Sequence, residues 1–170
     1  METFTTLLEE ALESWSDTRE GLIDEVANIP ATKFEFRPTA EVRSVKEVVV
    51  HILEVAMMMT GELTRSDTNF HRLPWPKLLR MHAKDAYRAN TKGDLLKLLK
   101  SQLKKAEKRF LGVGEMHMLQ YIKRFDGQRG TRLAWLHHGI AHEEYHRGQL
   151  TVYQRLMGIE PALTRQIRGG

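Results

Sequence analysis

The sequence predicts an all-α fold, a four-helix bundle with one short additional helix. Three observations predict it. Four stretches repeat apolar residues at spacings of three and four, the mark of a helix with one buried stripe. Each stretch is bounded by residues that start or stop helices, and no segment alternates well enough to be read as a strand. Four such stripes must bury against one another, which gives a bundle of antiparallel type. At 170 residues the chain fits a single domain over 1–170.

The first helix is predicted from about Phe4 to Ala27. Its stripe is Phe4, Leu7, Leu8, Ala11, Leu12, Trp15, Leu22, Ile23 and Val26, and Pro30 stops it. The second starts at Ser44. Ser44-Val45-Lys46-Glu47 is a capping box, with Glu47 placed to reach back to the cap. Val45, Val48, Val49, Ile52, Val55, Ala56, Met59 and Leu63 form its apolar face, and His51 lies beside that face. Residues 66–76 read as a turn-rich connection with Pro74 and Pro76, followed by the short helix from about Lys77 to Arg88. The third long helix begins near Thr91, with Asp94 as the cap's partner, and ends at Gly112 and Gly114. Residues 112–130 read as irregular, with a turn at Asp126-Gly127 and no strands strong enough for a hairpin. The fourth long helix is predicted from about Arg132 to Met157, capped by Thr131 and stopped by Gly158 and Pro161.

Composition excludes several classes. Apolar residues at 41% and charged residues at 28% are the ordinary globular mix, which excludes a disordered or low-complexity chain. With 0 Cys there is no disulfide framework, thiolate zinc site, iron–sulfur site or thiol nucleophile. The N-terminus carries acids where a signal peptide carries bases, and no apolar run is long enough to span a bilayer. A cytoplasmic protein without a membrane partner is the simplest expectation. The net charge of +4 is mild. Lys97, Lys100, Lys104, Lys105, Lys108 and Arg109 form the densest basic run, without aromatic interleaving apart from Phe110. A solvated helix face is expected there, and no nucleic-acid partner.

Histidine carries the chemistry. In Leu136–Leu150, His138, His142 and His146 recur every four residues, which puts three imidazoles on one helix face. Imidazole is the commonest nitrogen ligand of divalent transition metals, and two at this spacing can hold one ion. A straight helix carries the third away from that ion, so another element must complete the set. His51, on an inward face of the second helix, is the candidate. The bland alternative is a polar stripe on one helix and a packed histidine on another. His142-Glu143-Glu144-Tyr145-His146 also fits the short zinc-protease pattern, with Glu143 as general base. Its extension fails, because Gly148 sits one place early and Val152 stands where a third ligand belongs.

Two blocks carry a family resemblance. One is Ser44 to His51, a cap followed by a histidine on the second helix. The other is His142-Glu143-Glu144-Tyr145-His146-Arg147-Gly148-Gln149-Leu150, followed by Tyr153, Leu156, Gly158 and Pro161. Together they resemble the DinB/YfiT-like superfamily of bacterial four-helix-bundle metalloproteins, whose helix order fits nearly the whole chain. The resemblance implies a metal held by His51, His142 and His146, one divalent ion per chain. Zinc or nickel is expected first, iron or manganese next. It implies a metal-dependent enzyme on a small-molecule substrate, either a hydrolase or a transferase that uses a low-molecular-weight thiol, and a homodimer. The alternative is a non-catalytic metal-binding bundle of the stress response acting through its dimer surface; the family's "damage-inducible" label describes expression.

Around these three, Glu143 and His138 are the weak candidates for a catalytic role, Glu143 as a proton shuttle. Glu47 and Glu54 flank His51, and either can accept its free N–H, though solvated glutamates are the plainer expectation. Gly148 is expected to permit close helix packing and Gln149 to bond a neighbouring helix. Trp135 and Tyr145 read as core or interface, and Met57 to Met59 as packing. His71, His82 and His117 receive no role.

Overall fold

A computed structural model describes residues 6–169. The helices are α1 (Leu7–Asn28), α2 (Val45–Leu63), α3 (Trp75–His82), α4 (Lys84–Arg88), α5 (Lys92–Val113), α6 (Glu115–Met118), α7 (Arg132–Leu156) and α8 (Ala162–Gly169). Between α6 and α7 lies a two-stranded antiparallel hairpin of β1 (Tyr121–Lys123) and β2 (Arg129–Thr131). The four long helices are those expected, and their boundaries rest on local chemistry. Thr6 caps α1 by accepting from the Glu9 N–H. The Ser44–Glu47 box is closed in both directions, and Thr91 and Asp94 form a second box. Gly114 ends α5 at φ 77°, a left-handed conformation that suits only glycine without strain. Phe4, expected at the head of the first helix, lies outside the described residues.

Two expectations need correction, and one further element appears. The short helix after Pro76 is two helices, α3 and α4, broken at Ala83. Residues 112–130, expected to be strandless, contain the hairpin, whose Asp126-Gly127 turn is where the sequence places it. Its strands are three residues long and owe their form to partners: the Lys123 N–H donates to the Thr68 carbonyl (2.8 Å), and Asn69 bridges Lys123. A C-terminal helix, α8, follows Pro161. The buried carboxylate of Glu25 on α1 accepts from the Ala162 and Leu163 N–H groups and so caps it.

The order of the bundle is not a simple up-and-down one. α1 packs on α7 and α5, and α2 packs on the same two. Sequence neighbours α1 and α2 therefore stand diagonally, as do α5 and α7. The long connections 29–44 and 114–131 cross the bundle ends to make this possible.

The apolar core is divided into two parts. One gathers Trp15, Met59, Phe110, Leu133 and Trp135; the other gathers Leu22, Val26, Val48, Ile52, Leu99 and Leu150. Between them runs a buried polar layer containing Arg19, Thr60, Gln102, Glu143 and His146.

Candidate metal centre

His51 comes from α2, and His142 and His146 from successive turns of α7. The capping box sets the start of α2 and hence the direction of His51, two turns on. The two helices pack face to face and bring the three rings together at centroid distances of 4.5–5.0 Å. One nitrogen from each lies within 4.8 Å of the others. His142 Nε2 is 3.1 Å from His51 Nε2 and 3.1 Å from His146 Nε2.

The outer nitrogens decide which way each lone pair points. His51 Nδ1 donates to Glu54 Oε1 at 2.7 Å. His146 Nδ1 donates to Gln149 Oε1 at 2.8 Å. Gln149 cannot present its amide the other way round, because its Nε2 donates to the Tyr153 hydroxyl (2.9 Å), which donates to the Arg43 carbonyl (3.0 Å). With Nδ1 protonated on both rings, the Nε2 lone pairs of His51 and His146 both face His142 Nε2. One N–H on that atom can satisfy only one of them. A divalent cation satisfies all three. Two nitrogens held about 2.0–2.1 Å from a tetrahedral ion stand about 3.3–3.4 Å apart, close to the spacing seen here. The donor set fits a borderline transition metal, and the orienting partners on Nδ1 are those a metal-bound imidazole uses. His142 Nδ1 is buried and has no hydrogen-bond partner.

The electrostatics agree. Burial, with the neighbouring His146 and His51, pushes the His142 pKa down to about 3. Burial likewise lowers His146, against a smaller opposing effect of the Gln149 hydrogen bond. Both shifts favour the neutral imidazole at neutral pH, the form in which a histidine binds a metal. At Glu54, burial pushes the pKa up, but hydrogen bonds from His51 and Tyr87 and nearby positive charge outweigh it and hold the carboxylate ionised. Tyr87 is pushed up to about 12 by burial and by Glu54, so its hydroxyl stays a donor.

The other sequence candidates fall elsewhere. Glu143 is turned away from the three imidazoles. It lies about 100° around α7 from His142, is buried, and is held by Trp15 and Arg19. His138 is outside the three-nitrogen cluster; it is exposed, with its ring 4.9 Å from Trp135. Glu47 stays in the capping box and pairs with Arg37. Glu54 is the glutamate that supports His51, not a solvated one. Gln149 bonds within its own helix. Gly148 faces open space; the glycines that admit a neighbour are Gly21, where a Cβ would overlap the Arg147 guanidinium, and Gly61, where it would overlap the His82 ring. Trp135 is buried as expected, whereas Tyr145 is exposed. His82 and His117 have structural roles, bonding the Glu62 carboxylate and the Leu63 carbonyl. Tyr87 and Tyr153 are the supporting residues that sequence reasoning missed. Tyr153 had a legible signal, one turn beyond Gln149 on the same face. Tyr87 had none, being 33 positions from Glu54.

Fold and site together define a helical-bundle protein with a three-imidazole centre, of which His51 also lines a charged cleft of about 570 Å³ with Arg37, Arg43, Lys46 and Glu47. The DinB family's sequence profile matches residues 1–168, and the chain belongs to the DinB family. Two solved structures illustrate the likeness. The DinB-like protein YjoA from Bacillus subtilis is 22% identical, with TM-score 0.65, over 88% of this chain and 92% of that one. YfiT from Bacillus subtilis, a probable metal-dependent hydrolase with an unusual four-helix bundle topology, is 14% identical, with TM-score 0.72, over 94% of this chain and 95% of that one. At such identities the likeness is one of fold, and it includes the bundle. No curated protein matches the sequence. No helix among the described residues is long and apolar enough to cross a membrane.

Proposed function

We propose that this protein is a divalent-metal-dependent enzyme acting on a small molecule, with His51, His142 and His146 as the ligands. The observation that carries the reading is the convergence of three Nε2 atoms, two with lone pairs directed inward by Glu54 and Gln149. Three protein ligands are the pattern of a catalytic site, which keeps a further position for water or substrate. When bound, a divalent ion there supplies a lowered pKa for a water or a thiol and so a nucleophile at neutral pH. The chain's own residues hold and orient. Glu54 keeps the proton on His51 Nδ1, Gln149 keeps it on His146 Nδ1, and Tyr153 prevents the Gln149 amide from turning over.

Hydrolysis is the first reading, in line with the probable activity of the fold neighbour YfiT. Transfer to or from a low-molecular-weight thiol is the finer variant and uses the same open position. Zinc or nickel is the expected metal. A cytoplasmic homodimer belongs to this reading and rests on the family alone.

Metal content by mass spectrometry on untagged protein tests it, with His51→Ala, His142→Ala and His146→Ala alongside. The expected result is about one divalent ion per chain in wild type, lost in each variant. A wild-type protein that takes up neither zinc nor nickel on reconstitution overturns the reading.

A further inference from the structure

A second recess, of about 190 Å³, adjoins the centre, and His142 is part of its wall. Four elements build it. α2 gives Val55 and Met59, the first residue of α3 is Trp75, the hairpin turn gives Phe125, and α7 gives Trp135 and Gly139. Trp75 and Phe125 stand 4.7 Å apart between centroids, and Phe125 and Trp135 stand 5.3 Å apart. The wall is apolar apart from His142 and the exposed His138.

A glycine keeps the recess open. Gly139 sits three residues before His142 on the same face of α7. A Cβ there would lie 3.4 Å from Met59 Cε, so any larger side chain would grow into this space. The two irregular connections brace the outer wall. The His71 Nδ1–H donates to the Phe125 carbonyl at 2.7 Å, and the hairpin is tied to residues 68–69 through Lys123.

We propose that this recess receives a single uncharged ring of the small molecule whose reacting group lies at the three-imidazole centre. The inference rests on the metal-centre reading for the reacting group, and on the recess itself for the ring. The volume suits one ring, since an apolar cavity of about 150 Å³ holds a benzene. The aromatic walls suit its faces and edges. A charged group is disfavoured, because it would lose water and meet no charged side chain in the wall. His142 joins the two halves, as both a member of the centre and part of the wall. The substrate class that follows is an aromatic or cyclic apolar compound with its reactive polar group next to the ring.

The test titrates benzyl alcohol, with glycerol as the polar control, into metal-free and zinc-loaded protein, followed by NMR. The expected result is millimolar or tighter binding of benzyl alcohol in both forms. It should perturb the indole signals of Trp75 and Trp135 and the Gly139 amide, with no effect of glycerol. Gly139→Leu fills the recess and should weaken the ring's affinity about tenfold or more, as loss of a well-fitted apolar contact does. Its metal content should be unchanged. Trp75→Ala, which removes a half-buried wall, should weaken it comparably and carries the test if Gly139→Leu fails to fold. No ring binding by wild type, perturbation elsewhere, or full affinity in the folded variants overturns the proposal. Metal uptake without ring binding overturns the recess alone; ring binding without metal uptake overturns the centre alone.

Discussion

Two clusters of buried polar side chains meet at one turn of α7 and are built in opposite ways. Glu143 faces α1 and α5. Its carboxylate accepts from Trp15 Nε1 and Arg19 Nε, both at 2.8 Å, and pairs again with Arg19 Nη2. The other guanidinium nitrogen donates to the Leu99 carbonyl and to Gln102, and Gln102 donates to Thr60. The guanidinium nitrogens and both carboxylate oxygens are satisfied from within the fold. His142, one residue earlier, faces α2. There three nitrogens converge with two lone pairs aimed at a third atom that can satisfy only one. Burial alone therefore does not distinguish structure from function here. Closure of the hydrogen bonds does: the closed cluster has no capacity left for a ligand, and the open one is completed by a cation.

The largest effect that would break this comparison is at Glu143. Glu143→Ala leaves the fully buried Arg19 guanidinium with its charge uncompensated. Removing one partner of a buried pair costs about 3–5 kcal/mol. Urea denaturation should show a loss of that size. A loss below about 1 kcal/mol would mean that the cluster is not closed but solvated, since exposed pairs contribute no more than that. Metal content of the folded fraction should stay at the wild-type level, because Glu143 touches none of the three imidazoles.

The supporting shell gives the next effect. Glu54→Ala and Gln149→Ala each free the Nδ1–H of one imidazole and leave the three Nε2 atoms in place. Loss of such partners typically lowers metal affinity about 10–100-fold. Competition with a chromophoric chelator should place both variants in that range. Tyr153→Phe, which unfixes the Gln149 amide and removes the bond to the Arg43 carbonyl but leaves the imidazole partners in place, should lie at its weak end. Equal affinity in Glu54→Ala and wild type would show that the orientation of His51 is set by helix packing alone.

Much of this was legible because it is local. The apolar stripes, the Ser44–Glu47 and Thr91–Asp94 boxes and the four-residue histidine spacing are all decided within one or two turns of chain. His51 was legible too, as a polar residue beside an apolar face. The burial of Glu143 against α1 was not legible, because its partner Arg19 is 124 positions away. The hairpin was missed because three-residue strands have no periodicity to show; pairing with Thr68 and Asn69 defines them. The diagonal placement of α1 and α2 was illegible for the same reason, since stripes say that a face is buried and not against which helix.

The smallest effect separates a second closed cluster from the open centre by pH. Glu62 is buried at the end of α2, with its carboxylate 2.7 Å from His82 Nε2 and bonded twice by Arg72. Burial pushes its pKa up, but the hydrogen bonds from His82 and Arg72 and the charges of Arg72 and Arg65 outweigh this and hold it at about 2. The unfolded chain regains the ordinary value of 4.5. Between 4.5 and about 2 the unfolded state binds a proton that the folded state does not. The contribution of Glu62 is therefore complete above pH 4.5 and is lost as the pH falls towards 2. At its steepest this adds about 1.4 kcal/mol per pH unit to the slope of stability. Glu62→Gln should flatten the acid limb of a stability–pH curve by about that amount while leaving metal affinity at neutral pH unchanged. An acid limb identical to wild type would place the acid sensitivity at Glu54 and the imidazole centre instead, and the closed cluster would then have no measurable signature of its own.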